Sequence, residues 1–291
     1  MDVSIIVVNY NTLKITEACL KSIHEFTFNI SYEIILVDND STDGSCDFFR
    51  EYQNITFIQS SENLGFGKAN NLGVEYATGD YFFLLNSDTI LIENSIKKMF
   101  DFYKNNLEQL NIGALGCILK NEFMGNINSG GYFPSAKNYI KSYIRKPVPI
   151  FEIGNVKGEY LLIDFVTGAD IFISKEIYNR IGGFDEDFFL YYEETDLQKR
   201  LANLGYKNYL FTRTNIIHLE GGSDIGNNVI SNFKRITIHR SRNLYLKKHD
   251  KNAFFYFVFD LFVNIFRLFD RKFSKKENIT FVRENIKSYF K

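Results

Sequence analysis

The chain of 291 residues has no tryptophan, three cysteines and a formal net charge of only -1. Cys19, Cys46 and Cys117 are scattered without pair or metal spacing, which excludes a disulfide framework or a thiolate-held metal and leaves reduced core thiols. The near-neutral balance gives no sign of a nucleic-acid partner. No basic leader or cleavage site precedes the apolar run Val3 to Val8, so the opening reads as a strand and not as a signal peptide. The sequence also lacks a GxGxxG fingerprint: Gly65-Phe66-Gly67 has the wrong spacing and follows the wrong strand, which excludes a nicotinamide or flavin enzyme. No basic, glycine-rich phosphate loop follows the first strand, which disfavours a nucleotidyltransferase.

What is present is aromatic. There are 30 Phe and 18 Tyr, and with a hydrophobic fraction of 45% the chain is long enough for one large globular domain plus an appendage, or for two small domains. The near-zero charge hides an asymmetry: residues 230–291 carry 15 Lys/Arg against 5 Asp/Glu, a net of +10, which leaves -11 for residues 1–229. The tail is drawn to anionic surfaces and the body is not.

The body reads as α/β. Val3 to Val8 is a buried strand closed by Asn9-Tyr10-Asn11-Thr12, and Ile15, Ala18, Cys19, Ile23 and Phe26 at three- and four-residue spacing predict a helix to about Asn29. A second strand, Glu33 to Val37, runs into the polar stretch Asp38 to Ser45, in which Asp40 and Asp43 suit Asx turns. A short strand, Ile55 to Ile58, leads into a glycine- and amide-rich turn with Asn63, Gly65 and Asn70, then a helix to about Tyr76. Tyr81 to Leu85 is a strand buried on both faces that ends in Asn86-Ser87-Asp88, delivering a carboxylate to its carboxyl end, where open α/β sheets bind ligands. A carboxylate there suits a hard divalent cation, which in turn holds phosphate oxygens.

Further on, a helix around Ile96 to Tyr103 and a strand Gly113 to Leu119 are expected, followed by irregular chain from Lys120 to Tyr160. Strands Leu161 to Val166 and Ile171 to Ser174 flank Thr167-Gly168-Ala169-Asp170, where Gly168, Ala169 and Asp170 are candidate acceptor contacts and Asp170 could equally close a turn. Glu193, Glu194 and Asp196 open a helix that ends before Gly205; acidic residues suit its N-terminus, but three carboxyls in four residues exceed what capping requires. A strand, Tyr206 to Phe211, precedes His218. His24, His239 and His249 read as surface residues.

In this order the pieces resemble the family-2 inverting glycosyltransferases of GT-A fold, most closely the rhamnosyltransferase-like subgroup. The motifs are Val7-Val8-Asn9-Tyr10-Asn11, Val37 to Ser45, Asn63-Leu64-Gly65-Phe66-Gly67 with Asn70, Leu85-Asn86-Ser87-Asp88, Gly182-Gly183-Phe184-Asp185-Glu186 through Asp196-Leu197, and His218 before Gly221-Gly222-Ser223. The resemblance implies a half-Rossmann, mostly parallel sheet over residues 1–229, divided into a nucleotide-binding half (1–119) and an acceptor-binding half (120–229). Asp38 would accept a hydrogen bond from the donor base, and Asn9, Tyr10, Asn11, Asn63, Gly65, Asn70 and Ser87 would line the same pocket. Asp88 would be the last residue of the family's DxD motif, here begun by Asn86, and with His218 would hold Mn²⁺ or Mg²⁺. Glu194 would be the catalytic base, with Glu193 and Asp196 beside it. The implied activity is inverting transfer of a sugar, plausibly rhamnose from dTDP-rhamnose, onto a saccharide or lipid-linked acceptor in cell-surface polysaccharide synthesis. A UDP-hexose, UDP-galactofuranose or UDP-acetamido-sugar donor, or a degenerate nucleotide-binding subunit, are the alternatives.

The tail, residues 230–291, is expected to be helical. Arg242 could reach the donor diphosphate or be a solvated surface charge. Ala253 to Phe269 is almost entirely apolar with seven Phe, yet Asp260, Asn264, Arg267 and Arg271 recur on one stripe, which argues against a spanning helix. A wide aromatic face with basic flanks suits an anionic membrane surface, so a cytoplasmic protein bound peripherally to the inner face of the cell membrane is expected. The competing expectation packs that face on the catalytic domain or a second subunit of a homodimer.

Overall fold

The computed structural model describes residues 1–151, 153, 158–219 and 231–290. Its first half alternates strand and helix: β1 (Val3–Asn9), α1 (Leu13–Phe26), β2 (Tyr32–Asp38), α2 (Ser45–Arg50), β3 (Thr56–Gln59), α3 (Phe66–Glu75) and β4 (Tyr81–Asn86). There follow β5 (Thr89–Leu91), α4 (Ser95–Leu110), β6 (Ile112–Lys120), β7 (Gly130–Gly131), α5 (Ala136–Tyr143), β8 (Tyr160–Ile163), β9 (Phe165–Val166), β10 (Asp170–Ser174), α6 (Lys175–Ile181), α7 (Glu193–Asn203) and β11 (Lys207–His218). The tail comprises α8 (Asn232–His249), α9 (Ala253–Arg267) and α10 (Lys275–Phe290).

The strands form one nine-stranded sheet in the order β3-β2-β1-β4-β10-β6-β11-β5, with β8 also on β11, and a separate β7-β9 pair. Strands β1 to β4 are mutually parallel, β10 reverses between β4 and β6, and β11 rejoins parallel to β6. This is the mostly parallel α/β sheet expected.

Successive side chains of a strand face opposite sides. Val3, Ile5 and Val7 of β1, with Phe83 and Leu85 of β4, therefore pack with Cys19, Leu20 and Ile23 of α1 and Met99 and Phe100 of α4. Ile6, Phe82 and Leu84 face the other way, onto Ile177, Tyr178, Leu197 and Leu201 of α6 and α7. Both faces are covered, which is why these strands read as unbroken apolar runs.

The structure departs from the expectations in several places. Helix α5 lies inside the stretch expected to be irregular, and β5, α2 and α6 were not anticipated, whereas the tail is helical as expected. Strand β11 continues past Phe211 because its ladder with β6 slips and resumes at Asn215, a continuation that Thr212-Arg213-Thr214 conceals in the sequence. The expected domain boundary at 229/230 and the motif Gly221-Gly222-Ser223 lie outside the described residues.

The tail is built the other way round from the body. In α9 the buried residues are Ala253, Tyr256, Asp260 and Asn264. Its exposed face is Phe254, Phe255, Val258, Leu261, Phe262, Ile265 and Phe266, continuing to Phe269, which is 77% exposed. The expected aromatic face therefore exists, and among the described residues it packs on neither the sheet nor another helix. Arg271 lies beyond the end of α9 and is exposed, so it leaves the polar stripe on which it was expected.

Candidate functional site

Register places the polar residues together. Asn9 pairs with Asp38 across β1 and β2, and Val8 with Asn86 across β1 and β4, so the apolar strands end in amides and carboxyls at one edge. Asn9 is buried; its Nδ2 donates to Asp38 Oδ2 at 2.7 Å, and its Oδ1 accepts from Thr16 Oγ1 at 2.7 Å. Asp38 is also buried, and its Oδ1 accepts from the Ser41 backbone N–H at 3.0 Å. Beside them Asn11 Oδ1 receives the Thr42 N–H at 2.7 Å, and Tyr10 is exposed at the mouth. Ser87 is half-buried, with its hydroxyl 3.5 Å from that of Thr12.

The second wall is the turn before α3. Asn63 Oδ1 accepts from Gly65 N at 2.9 Å and from Asn39 Nδ2 at 3.0 Å. Asn39 holds this turn to the end of β2 through three bonds, adding Leu64 N to its Oδ1 at 2.8 Å and its Nδ2 to Gly65 O at 3.1 Å. The sequence reading gave Asn39 no role; a buried amide directly after a strand-end Asp was the available signal. Gly65 sits at φ 78°, and a Cβ there would come within 1.9 Å of the Phe189 carbonyl oxygen, so only glycine fits. Asn70 is buried within α3, its Nδ2 bonded to Phe66 O at 3.0 Å, and so braces the turn instead of lining the pocket surface.

Asp88 and His218 are 130 residues apart in sequence, yet β5 pairs antiparallel with β11 so that His218 lies opposite Thr89. His218 Nε2 is 3.1 Å from Asp88 Oδ1, and both side chains are largely buried. An octahedral ion with bonds of about 2.1 Å sets neighbouring ligands about 3 Å apart, so a carboxylate oxygen and an imidazole nitrogen at this separation fit one divalent cation. Among the described residues no cluster of three or more His, Cys, Asp or Glu forms, so further ligands would come from donor and water.

Glu193 and Glu194 open α7 after two tyrosines, Tyr191 and Tyr192, at φ 69° and 70°. Side chains seldom adopt this left-handed conformation, which costs on the order of 1–3 kcal/mol each and is a feature of functional sites. Gly168 lies against Glu194: a Cβ at Gly168 would be 3.6 Å from that of Glu194 and 3.4 Å from the Phe66 ring. Ala169, next in the chain, accepts the Asn86 N–H at 3.0 Å, which ties this loop to the strand end bearing Asp88. Glu194, half-buried, accepts from Thr195 Oγ1 at 3.2 Å. Glu193 is 3% exposed, and its Oε2 has no hydrogen-bond partner among the described residues. Burial raises both carboxyls above the usual range, and the charge of Glu194 raises Glu193 further.

Asp170 is fully buried on β10. Burial outweighs the hydrogen bond it accepts from Cys117 N at 2.6 Å and pushes its carboxyl up to about 7. It closes the gap in the β10–β6 ladder and is shut off from solvent, which corrects its assignment as an acceptor contact.

Two further residues lie elsewhere. Asp196 is buried and committed, with Oδ2 on Arg200 Nε at 2.7 Å and Oδ1 on His249 Nε2 at 2.7 Å, so it drops out as a base. His249 is accordingly a brace between α7 and α8, and not a surface residue. Arg242 is 7% exposed, bonded to His239 Nδ1 at 2.5 Å and 3.9 Å from Asp260, with its guanidinium over the Tyr139 and Tyr256 rings. It belongs to the polar interior of the tail, neither on a diphosphate nor in solvent. His239, half-buried, lies beside it, and desolvation and the neighbouring Arg242, Arg267 and Arg235 keep its ring neutral. His24 is half-buried against Tyr32.

Comparison with known proteins agrees with this geometry. Over 211 residues the chain is 23% identical to the N-acetylglucosaminyl-diphospho-decaprenol L-rhamnosyltransferase of Mycobacterium tuberculosis, covering 64% of this chain and 66% of that one. It is 31% identical over 121 residues to the poly(ribitol-phosphate) beta-glucosyltransferase of Bacillus spizizenii, covering 40% of this chain and 19% of the relative. The chain thus spans less than two thirds of the length of these relatives. Among solved structures it resembles the mannosyltransferase PcManGT from Pyrobaculum calidifontis in complex with GDP-Man and Mn²⁺, with TM-score 0.57, 17% identity, and 84% of this chain and 63% of that one covered. It also resembles S. aureus TarS 1-349 in complex with UDP-GlcNAc, with TM-score 0.56, 15% identity, and 100% and 73% covered. These likenesses show a common GT-A fold. Residues 4–181 match the family described as Glycosyl transferase family 2, which takes in the strand-end site and the Gly65 turn and stops short of Glu193, Glu194 and His218. The chain belongs to glycosyl transferase family 2.

Proposed function

We propose that this protein transfers a sugar from a nucleoside diphosphate donor to a saccharide or lipid-linked saccharide acceptor in cell-surface glycan synthesis, with inversion at the anomeric carbon. The observation that carries the reading is the meeting of Asp88 and His218 at 3.1 Å beside the strand-end amide cluster. Asp38, Asn9 and Asn11 shape the base end of the donor pocket, and the Gly65 turn lets backbone approach the donor. Asp88 and His218 would hold a divalent cation, Mn²⁺ or Mg²⁺; bound there, it stabilises the negative charge that develops on the departing diphosphate. Glu194 takes the proton from the attacking acceptor hydroxyl as the new glycosidic bond forms. It is more exposed than Glu193 and, unlike Asp196, free of a salt bridge. Because burial raises its carboxyl, the rate should rise with pH through a midpoint above the ordinary glutamate value of about 4.3. The donor read from the rhamnosyltransferase relative is dTDP-rhamnose, and the UDP-sugars are the alternative.

The reading extends to the tail. Among the described residues no helix is long and apolar enough to cross a membrane. The outward aromatic face of α9, with Lys251, Arg271, Lys272, Lys275 and Lys276 exposed around it, suits the inner face of an anionic membrane, where lipid-linked acceptors are presented. Co-sedimentation with phosphatidylglycerol vesicles, but not with phosphatidylcholine vesicles, is expected. A concentration-dependent dimer with no vesicle binding would give the face to a second copy instead.

Transfer is tested by incubating the protein with dTDP-rhamnose and UDP-sugars, Mn²⁺ and lipid-linked acceptor, and measuring release of the nucleoside diphosphate. Turnover lost in Glu194→Gln with donor binding retained supports the assignment. Nucleotide binding without any turnover in the parent would instead mark a degenerate subunit.

A further inference from the structure

A cavity of about 390 Å³ lies between the loop preceding α7 and the helices α8 and α10. Its wall is shared with the donor site. Phe189, which lines the cavity, accepts the Phe66 N–H at 3.0 Å through its carbonyl, and the next carbonyl, Leu190 O, accepts Ser241 Oγ from α8 at 2.8 Å. Three residues later the same loop delivers Glu193 and Glu194. Lys248 bonds both Asp185 and Asp187, fixing the outer end of the loop to α8.

The lining has the chemistry of sugar recognition. The Phe189 and Phe233 rings stand edge to face at 6.3 Å, and Phe233 is 63% exposed, so an apolar C–H face of a pyranose can lie on an existing aromatic surface. Thr237 adds a hydroxyl, and Arg240 and Lys287 both bridge to Glu284. With Asp187 the charges on the lining cancel, which favours a neutral polyhydroxylated ligand over a phosphate. An aromatic platform with a few convergent polar groups is the usual make-up of a small-ligand site.

We propose that this cavity is a saccharide subsite, in which a neutral sugar of the acceptor is held on Phe189 and Phe233 while its terminal hydroxyl reaches Glu194 around the shared loop. The subsite rests on the transferase reading given above. It uses the tail, which lies outside the family-matched residues.

Saturation-transfer NMR with the methyl glycosides of glucose, galactose, rhamnose and N-acetylglucosamine, with UDP or dTDP present, tests it. At least one glycoside should bind the full-length protein, and Phe233→Ala should weaken that binding about tenfold, the loss of one aromatic contact. Arg240→Ala should weaken it as well, and nucleotide-induced thermal stabilisation should stay unchanged in both. Both positions are solvent-facing, so the fold is spared. Failure of all four glycosides to bind the parent, or equal binding by parent and Phe233→Ala, overturns the subsite. The transferase reading is judged separately in the same samples, because it falls if no nucleotide stabilises the parent whatever the glycosides do.

Discussion

The sheet and the tail solve burial in opposite ways. In the sheet, apolar residues fill both faces and polar groups are confined to the strand ends, where they make the site. In the tail, a polar cluster is buried beside a small apolar one of Tyr245, Leu246, Tyr256 and Phe281. Asp260 accepts from Asn285 Nδ2 at 2.8 Å, Arg267 NH2 at 2.8 Å and the Tyr289 hydroxyl, while Asn264 Oδ1 accepts from Asn285 Nδ2 at 3.0 Å. Burial pulls the Asp260 carboxyl upward, but Arg267, Arg242 and the Tyr289 and Asn285 hydrogen bonds outweigh it and keep the group ionised. Water alone would favour the reverse orientation of α9, since each exposed large apolar side chain forgoes roughly 1.5–3 kcal/mol of burial. The body therefore hides its large apolar side chains, whereas α9 leaves a row of them exposed.

The largest effect should come from the body. Glu194→Gln is expected to lower turnover by about 10²–10⁴-fold while leaving the nucleotide affinity intact, as read by steady-state kinetics and calorimetry. Asp260→Ala should show that the tail depends on its polar interior. Stranding Arg267 and Arg242 should cost about 3–5 kcal/mol in the stability of the tail, whereas an apolar-cored tail would be indifferent. Limited proteolysis after Lys251, with nucleotide-induced stabilisation of the sheet preserved, would read this out.

Asp170 sharpens the contrast, being a carboxyl fully buried in the sheet whose burial the charge of His218 offsets only in part. Its folded value of about 7 lies above the ordinary aspartate value of 3.8. Below the unfolded value both states hold the proton and the stability it confers is fully present. As pH rises toward 7 the unfolded chain loses the proton first and that stability declines, by at most about 1.4 kcal/mol per pH unit. The denaturation curves of the parent and Asp170→Asn should therefore diverge across this window and run parallel above it; curves parallel throughout would mean an unperturbed group. The smallest effect on folding belongs to Phe262→Ser with Phe266→Ser, within about 0.5 kcal/mol because both residues already face solvent. The same pair should lose most vesicle binding, and unchanged sedimentation would remove the membrane from the account.

Much of the body was legible in sequence because strands buried on both faces leave long apolar runs that end in polar residues. The pairing of Asp88 with His218 came from motif resemblance alone. The short β5 and the irregular ladder of β11 that bring the two together have no periodic signature. The acidic trio could not be resolved from spacing, since only packing shows Asp196 turned toward Arg200 and His249. In the tail, periodicity gave the two faces of α9 but not which one is buried. That is settled by α10, whose Asn285 donates to Asp260 and Asn264 of the stripe, a pairing that helical periodicity does not reveal. Arg242 and His239 were misread for the same reason: a polar interior looks like a surface until its partners are known.

The central claim is that Asp88 and His218 bind a nucleoside diphosphate donor through a divalent cation. The most direct test is thermal stabilisation by UDP, dTDP, GDP and CMP, each with Mn²⁺ and with chelator, in the parent and in Asp88→Ala. At one hundred times Kd a bound nucleotide adds about 2.7 kcal/mol. The account predicts a shift with UDP or dTDP that requires Mn²⁺ and disappears in Asp88→Ala; a shift unaffected by chelator and by Asp88→Ala, or none with any nucleotide, would contradict it.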